Sequence, residues 1–158
     1  KEFGLNVNDE RLHIYTQDGR SYLNYSENKY DTILIDAFKG FNAPFELTTY
    51  EALVNARKML NENGMVITNI ISSLEGDNAE FIKYEYATYK TVFDDVKIFK
   101  VLDEDNAEIQ NLILVGIKGK PQINEAKYEE YQSFLNWEVT GFTTDKKVGT
   151  DDFAPIGN

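Results

Sequence analysis

The sequence predicts an α/β protein with a mostly parallel, Rossmann-like sheet that ends in an antiparallel hairpin. Short strand-like runs alternate with longer helical runs through most of the chain, a pattern typical of a parallel sheet covered by helices. Two later runs, DVKIFKVLD and EIQNLILVGIKG, are separated only by EDNA, which is too short for a parallel crossover. These two runs are therefore expected to pair as a hairpin.

Three strands are predicted before the hairpin. The first covers residues 11–16 (RLHIYT), where apolar and more polar residues alternate, as in a strand with one less apolar face. The other two cover residues 31–36 (DTILID) and 64–71 (GMVITNII). Their nearly continuous apolar character is typical of strands buried on both faces, so we expect them at the centre of the sheet.

A helix is predicted from residue 49 to residue 60, with start and stop signals in the sequence. Thr48 and Glu51 have the spacing of a capping box, and Gly64 follows the periodic segment where a left-handed C-cap belongs. Its apolar side chains are expected to share a face that packs on the sheet. These side chains are Leu53, Ala56 and Leu60.

Two more helices follow from the periodicity. One covers residues 77–90, with Phe81, Tyr84 and Thr88 on a common face, and its tyrosines are interpreted as packing residues. A late helix covers residues 125–134, and after it comes a Gly-, Thr- and Asp-rich tail with little periodicity.

Length and charge narrow the class of protein. The chain has 158 residues, the size of one globular domain, and we interpret residues 1–158 as a single, partial domain. Its formal net charge is −11, from 16 Lys and Arg against 27 Asp and Glu. This charge repels phosphate backbones, so no nucleic acid is expected as a partner. An acidic surface suits a cationic substrate such as an amine, although solvated acidic faces are common.

The cysteine and histidine content excludes several kinds of catalysis and metal binding. The chain has no cysteine, which excludes disulfides, thiolate catalysis and cysteine-ligated zinc. The single histidine, His13, is interpreted as a strand residue, and no metal site is expected. No apolar run approaches the ~20 residues that span a bilayer, so the segment is expected to make no membrane contact and to be cytoplasmic.

This order of elements matches the C-terminal part of the class I methyltransferase-type fold, in which the last strand is reversed. A flavodoxin-like sheet ranks second because it has no terminal hairpin. The first βαβ unit of the fold is missing from the sequence, which opens at KEFGLNVNDERL. We therefore expect unpaired edges beside residues 11–16 and 31–36. Pairing within the chain or in a homodimer is expected to close the gap, unless the chain is part of a longer polypeptide.

Four motifs in register resemble one known family. In order they are the Asp-Gly pair of LHIYTQDGRSYL, the strand end YDTILIDAF, the helix start LTTYE and the terminal TDDFAP. Together they resemble the spermidine synthase-like proteins, relatives of the polyamine aminopropyltransferases. The resemblance covers nearly the whole chain and implies a transferase of polyamine biosynthesis.

The resemblance implies a nucleoside site at the carboxyl ends of the strands, where open α/β sheets bind ligands. The co-substrate implied is decarboxylated S-adenosylmethionine or S-adenosylmethionine. Asp18 accepts a hydrogen bond from adenine in this interpretation, and Gly19 lets the ring approach the backbone. Ala37 and Phe38 are implied as further nucleoside contacts. The alternative for Asp18 is an N-cap after an Asp-Gly turn.

Asp36 corresponds to the acid that, in aminopropyltransferases, holds the attacking amine and helps to remove its proton. It is therefore the predicted catalytic residue, and capping of the following loop is its structural alternative. The family's second acid is absent, because the segment reads DAFKGFNAP with Lys39 near that place. A cation there repels a diamine, which leaves transfer to putrescine open.

Two other functions remain alternatives at this stage. An S-adenosylmethionine-dependent methyltransferase shares the fold and the position of Asp18. A non-catalytic domain for assembly or ligand binding would have lost the second acid and the nucleotide loop. Asp151 and Asp152 of the tail also resemble the family, with loop structure as their alternative. Because the Gly-rich turn and the ribose-holding acid are missing, the chain alone is expected to bind methylthioadenosine weakly or not at all.

Overall fold

The computed structural model describes residue 6 and residues 8–37, 44–121 and 127–153, with only the backbone at residue 130. The strands are β1 (Tyr30–Ile35), β2 (Leu60–Ser72), β3 (Asp95–Lys100) and β4 (Gln110–Ile117). The α-helices are α1 (Gly19–Tyr25), α2 (Tyr50–Met59), α3 (Glu80–Val92) and α4 (Glu129–Phe134). Short 3-10 turns cover Phe45–Leu47, Asp77–Ala79 and Leu135–Trp137.

The four strands form one sheet in the order β1-β2-β4-β3. β1 pairs with β2 in parallel, whereas β4 lies antiparallel to both β2 and β3. The predicted α/β class and the terminal antiparallel hairpin are thereby confirmed. The described part of the sheet contains one parallel pairing and two antiparallel ones, because β4 inserts between β2 and β3.

The predicted strand at residues 11–16 is wrong. Residues 12–16 form neither helix nor strand, and Ile14 and Tyr15 are 65% and 67% exposed. A strand needs a neighbour to take up its backbone N–H and C=O groups, and no strand of the described residues pairs with this segment. β1 pairs only with β2 among those residues, and Leu34 on β1 is 66% exposed. The unpaired edge expected beside β1 is therefore present, and no second strand of the described residues pairs with β1.

Helix α2 lies where it was predicted, but both of its predicted caps are wrong. Thr49, not Thr48, is the N-cap, and its hydroxyl accepts a hydrogen bond from the Ala52 amide at 3.3 Å. The helix ends at Met59, and its C-cap residue, Leu60, is already the first residue of β2. Gly64 lies inside β2, where an added Cβ would be 2.9 Å from the carbonyl oxygen of Asp31. Close approach to β1 therefore explains this glycine, and a left-handed cap does not.

The core lies between one face of the sheet and helices α2 and α3. Leu53, Ala56 and Leu60 are buried as predicted. Strands β2 and β4 meet them with alternate side chains, a pattern typical of a sheet face packed on helices. These strand residues are Val66, Ile70, Leu112 and Leu114.

The helix predicted at residues 77–90 is also confirmed, with Asp77–Ala79 as a 3-10 turn that leads into α3. Phe81 and Thr88 are buried and Tyr84 is half-buried. Helix α4 is shorter than predicted: it begins at Glu129, and residues 125 and 126 lie outside the described residues. In the part of the chain that the structure describes, no helix is long and apolar enough to cross a bilayer.

Candidate functional site

Asp36 follows the last residue of β1, at the carboxyl end of the parallel strand pair. The register pairs Ile35 of β1 with Thr68 of β2, so Asp36 comes beside Asn69. The Asn69 side-chain amide donates a hydrogen bond to Asp36, with 3.1 Å between Nδ2 and Oδ1. The Asp36 side chain is exposed. This arrangement holds a carboxylate in a defined direction while leaving it accessible to a ligand.

Asn69 is a candidate site residue that the sequence pattern did not single out. Its Oδ1 atom is buried and has no hydrogen-bond partner among the described residues. A buried carbonyl oxygen without a partner is unfavourable, so the contact of Asn69 with Asp36 comes at a cost in stability. The available signal was a polar residue inside the otherwise apolar strand GMVITNII.

Asp18 caps helix α1, as its structural alternative predicted. Its Oδ1 accepts a hydrogen bond from the Ser21 amide at 2.7 Å. This bond from the Ser21 backbone holds the pKa of the exposed Asp18 carboxyl below its ordinary value. The cap does not exclude ligand binding, because a carboxylate can accept several hydrogen bonds.

Gly19 is the first residue of α1 and lies against the turn Phe45–Leu47. A Cβ at Gly19 would be 3.3 Å from Cδ2 of Leu47, so the turn and the helix start are in close contact. The turn also follows Asp36 along the chain, before Thr48, Thr49 and helix α2. Among the described residues, this turn therefore connects the two predicted parts of the site, which are the start of α1 and the segment after Asp36.

Arg20 fixes this connection and was also missed. One guanidinium nitrogen, Nη1, donates to the Glu46 carbonyl and to the Thr49 hydroxyl, each at 2.9 Å. The other, Nη2, forms an ion pair with Asp151 at 2.5 Å. The Arg20 side chain is only 18% exposed. Arg20 therefore connects helix α1 with the turn Phe45–Leu47, with Thr49 and with the C-terminal tail.

Of the two tail acids, Asp151 is held by contacts with other parts of the chain. Besides Arg20, its carboxylate accepts a hydrogen bond from the Thr49 hydroxyl at 2.6 Å. Its backbone amide donates to the Glu51 carboxylate at 2.9 Å. Asp152 is exposed. A structural role in the tail, the alternative to a functional one, therefore explains Asp151 without a bound ligand.

A cavity of about 830 Å³ lies between residues 11–17, the start of α1 and the start of β1. His13 and Gly19 line it, but Asp18 and Asp36 are not among its lining residues. Its aromatic wall is formed by Tyr15, Tyr22 and Tyr30. The rings of Tyr15 and Tyr22 stack with centroids 6.5 Å apart, and the Tyr22 and Tyr30 hydroxyls are hydrogen-bonded.

Of the remaining residues predicted for the site, the structure describes only Ala37. Ala37 is half-buried beside Asp36. Phe38 and Lys39 lie outside the described residues. The described residues also bring together no group of three metal-ligating side chains.

A parallel pair that continues into an antiparallel hairpin, with an acid at the tip of β1, defines the class as a methyltransferase-type Rossmann-like domain. Residues 1–103 match the family described as "Spermine/spermidine synthase domain". The chain therefore belongs to the spermine/spermidine synthase family, as the four motifs indicated.

Individual relatives agree with this assignment. The chain is 25% identical to a polyamine aminopropyltransferase of Vibrio vulnificus, over 90% of this chain and 51% of that protein. It is 30% identical to the polyamine aminopropyltransferase of Alkaliphilus oremlandii, over 60% of this chain and 33% of the relative. The chain thus spans about half the length, or less, of these curated relatives.

Two solved structures show the same fold. A probable spermidine synthase from Corynebacterium glutamicum superposes with a TM-score of 0.63 and 18% identity, over 92% of this chain and 57% of that one. A spermidine synthase in complex with the transition state analogue AdoDATO gives a TM-score of 0.62 and 19% identity, over 90% of this chain and 45% of that one.

Proposed function

We propose that this chain is part of an aminopropyltransferase, which transfers the aminopropyl group of decarboxylated S-adenosylmethionine to a small amine. The observation that carries the proposal is the exposed Asp36 carboxylate at the carboxyl end of β1, oriented by Asn69 at 3.1 Å. Membership of the spermine/spermidine synthase family and the aminopropyltransferase relatives support the same reaction.

The chemistry requires a neutral amine nitrogen aligned with the carbon next to the sulfonium sulfur. The nitrogen lone pair forms the new C–N bond, while the C–S electron pair returns to sulfur and leaves neutral methylthioadenosine. The amine then carries a positive charge and loses a proton. Asp36 accepts a hydrogen bond from the amine, orients it and takes up the proton, a role that contributes roughly 10²- to 10⁴-fold in rate.

Asn69 supports Asp36 in this proposal. Its amide nitrogen holds one oxygen of the carboxylate, which leaves the other oxygen for the amine. Its Oδ1 is buried, so the exposed Asp36 carboxylate is the acceptor offered to the amine.

The nucleoside contacts remain part of the proposal. Asp18 and Gly19 lie at the start of α1, against the turn that follows the Asp36 segment. Ala37 is next to Asp36, and Phe38 follows it in the sequence. We assign the adenosine part of the donor to these residues, with the Asp18 carboxylate as a hydrogen-bond acceptor.

The two alternative functions are not favoured by the relatives. Both curated relatives described above are named as aminopropyltransferases, and both structural neighbours as spermidine synthases. The decisive experiment incubates the full-length protein with an amine and either decarboxylated S-adenosylmethionine or S-adenosylmethionine. Mass spectrometry then distinguishes methylthioadenosine from S-adenosylhomocysteine. Formation of S-adenosylhomocysteine alone identifies a methyltransferase, and binding without turnover identifies a non-catalytic domain.

A further inference from the structure

The guanidinium group of Arg20 bonds to three other parts of the chain besides its own helix. Its Nε donates to Asn24 of α1 at 3.2 Å. Its Nη1 donates to the Glu46 carbonyl of the turn and to the Thr49 hydroxyl before α2, each at 2.9 Å, and its Nη2 pairs with Asp151 of the tail at 2.5 Å. Four of the five N–H donors of this group therefore have partners, which fixes its plane.

Thr49 closes these contacts into a ring. Its hydroxyl accepts from Nη1 of Arg20 and donates to Oδ1 of Asp151 at 2.6 Å, while Nη2 of Arg20 binds Oδ2 of the same carboxylate. The hydroxyl also accepts from the Ala52 amide at 3.3 Å, so its one donor and two acceptor positions are all used. Each bond of the ring thus depends on the others, and a change at Arg20 or Asp151 alters the whole ring.

The ring lies between the two parts of the proposed site. The segment that follows Asp36 leads into the turn that contains Glu46. Asn69 holds Asp36 at the start of this segment, and Arg20 holds the Glu46 carbonyl at its end. Arg20 also directly follows Gly19, which is assigned to the donor. The amine nitrogen has to be aligned with the carbon beside the sulfonium sulfur, and a misplacement of about 1 Å can cost about 10²-fold in rate.

We propose that Arg20 is a positioning residue of the transfer site. Held by Asp151 of the tail, its guanidinium fixes the start of α1, where the donor is assigned, relative to the segment that begins at Asp36. This inference rests on the proposed function, because it requires the two substrates to bind at those places. It also gives a role to the terminal motif TDDFAP, since Asp151 acts through Arg20 and is assigned no substrate contact.

Substitution of Arg20 by lysine tests the positioning role. Arg20→Lys keeps the positive charge but places it on a single nitrogen, which cannot reach Glu46, Thr49 and Asp151 as the forked guanidinium does. The full-length protein is assayed with decarboxylated S-adenosylmethionine, and with putrescine and butylamine as acceptors. We expect kcat to fall by about tenfold or more, with the KM of each substrate changing by less than about threefold, because each substrate keeps its own contacts.

Arg57 provides the matched control. It forms an ion pair with Asp94 at 2.6 Å, and the carboxylates of Asp94 and Asp151 are about equally exposed. Arg57 lies in the last turn of α2, at the opposite end of that helix from Thr49. Arg57→Lys should therefore weaken an ion pair of the same kind and leave kcat unchanged. Equal losses of kcat in the two lysine variants, or an unchanged kcat in Arg20→Lys, overturn the proposal.

Amide hydrogen exchange tests the fixing of the turn without substrates. The amides of Leu47 and Thr48 donate to carbonyl groups at the start of the turn, so both report its opening. We expect Arg20→Lys to speed their exchange by about tenfold or more. The Lys118 amide, which is bonded to a carbonyl of β2, reports global opening and should change less. Native-like exchange at Leu47 and Thr48 in this variant overturns the proposal.

A second variant covers the case in which Arg20→Lys does not fold. Asp151→Asn removes the charge that pairs with Arg20, while the tail keeps its backbone bond from the Tyr50 amide to the Gly149 carbonyl at 2.8 Å. We expect kcat to fall by about tenfold with little change in KM. Asp152→Asn makes the same change at the neighbouring exposed acid and should retain the native kcat. Equal kcat values in these two variants overturn the proposal independently.

The two kinds of measurement separate this inference from the proposed function. If the native protein transfers no aminopropyl group to either amine while Arg20→Lys still speeds exchange at the turn, the proposed function fails and Arg20 is a structural residue only. If the native protein does transfer the group and Arg20→Lys has the native kcat, the proposed function stands and only the positioning role of Arg20 fails.

Discussion

The side-chain amide of Asn69 on β2 donates to the carboxylate of Asp36 beyond the tip of β1, at 3.1 Å. This contact crosses the parallel strand pair and depends on its register, in which Ile35 is opposite Thr68. It fixes one oxygen of an exposed acid. A positioned carboxylate of this kind is suited to hold and deprotonate an amine.

Replacement of the acid is the first test of this role. We expect Asp36→Asn in the full-length protein to keep the fold and to lower kcat by about 10²-fold or more, because the amide cannot accept the amine proton. Turnover and melting temperature should be measured on the same preparation. A large loss of stability with unchanged turnover would show that Asp36 is structural.

Removal of the orienting amide should have a smaller effect. Asn69→Ala is expected to lower kcat by about tenfold while the KM for the donor changes little, since Asp36 remains but is less well oriented. Asn111→Ala is the matched control, because Asn111 is an exposed asparagine of β4 on the same sheet face, opposite Ile71. Equal losses in the two variants would contradict an orienting role.

The two tail acids should differ in their effect on stability. Asp151→Asn weakens the ion pair with Arg20 and the hydrogen bond with Thr49, so we expect a loss of about 1 kcal/mol in the free energy of unfolding. Asp152→Asn changes an exposed neighbour and should stay within about 0.5 kcal/mol of the native protein. Urea unfolding measures both. The interpretation is wrong if Asp152→Asn is the more destabilising change.

Glu85 should make stability depend on pH. Burial raises its pKa from 4.5 to about 8, so the folded protein retains a proton that the unfolded chain releases. The contribution is fully present below about pH 4.5 and is lost as the pH rises to about 8, by up to about 1 kcal/mol per pH unit. Urea unfolding of the native protein and of Glu85→Gln across this range isolates the effect, since other groups cancel in the difference. A difference that is independent of pH would exclude a raised pKa.

Lys39 provides a test of the acceptor. If the acceptor is a diamine, Lys39→Asp should tighten its binding, because a repulsion of about 1 kcal/mol or more becomes an attraction. Lys29→Asp places the same charge change at the other end of β1, before Tyr30, and serves as the control. Calorimetric titration with putrescine measures both. Unchanged affinity in Lys39→Asp would remove the objection to a diamine acceptor.

Much of the fold is determined by local pattern. The apolar runs of β1 and β2, the short link inside the β3–β4 hairpin and the periodicity of α2 and α3 were each sufficient to predict the element. Asp36 was recognised because it ends an apolar run. These features depend on residues close together in sequence, and such periodicities set which face is buried.

Strand pairing, the helix cap and the contacts of buried polar side chains were decided by the tertiary structure, because they depend on residues distant in sequence. Residues 11–16 have the composition of a strand but find no strand to pair with among the described residues. Thr49 and not Thr48 caps α2, with Arg20 and Asp151 also bonded to its hydroxyl. Asn69 contacts Asp36 only when β2 lies beside β1. Glu85 becomes buried only when α3 packs against α2 and β2. The sequence by itself determined the four strands of the sheet, helices α2 and α3 and the acid at the strand tip. The orientation of that acid and the burial that raises the pKa of Glu85 were decided by packing, because contacts between distant segments exist only in the folded chain.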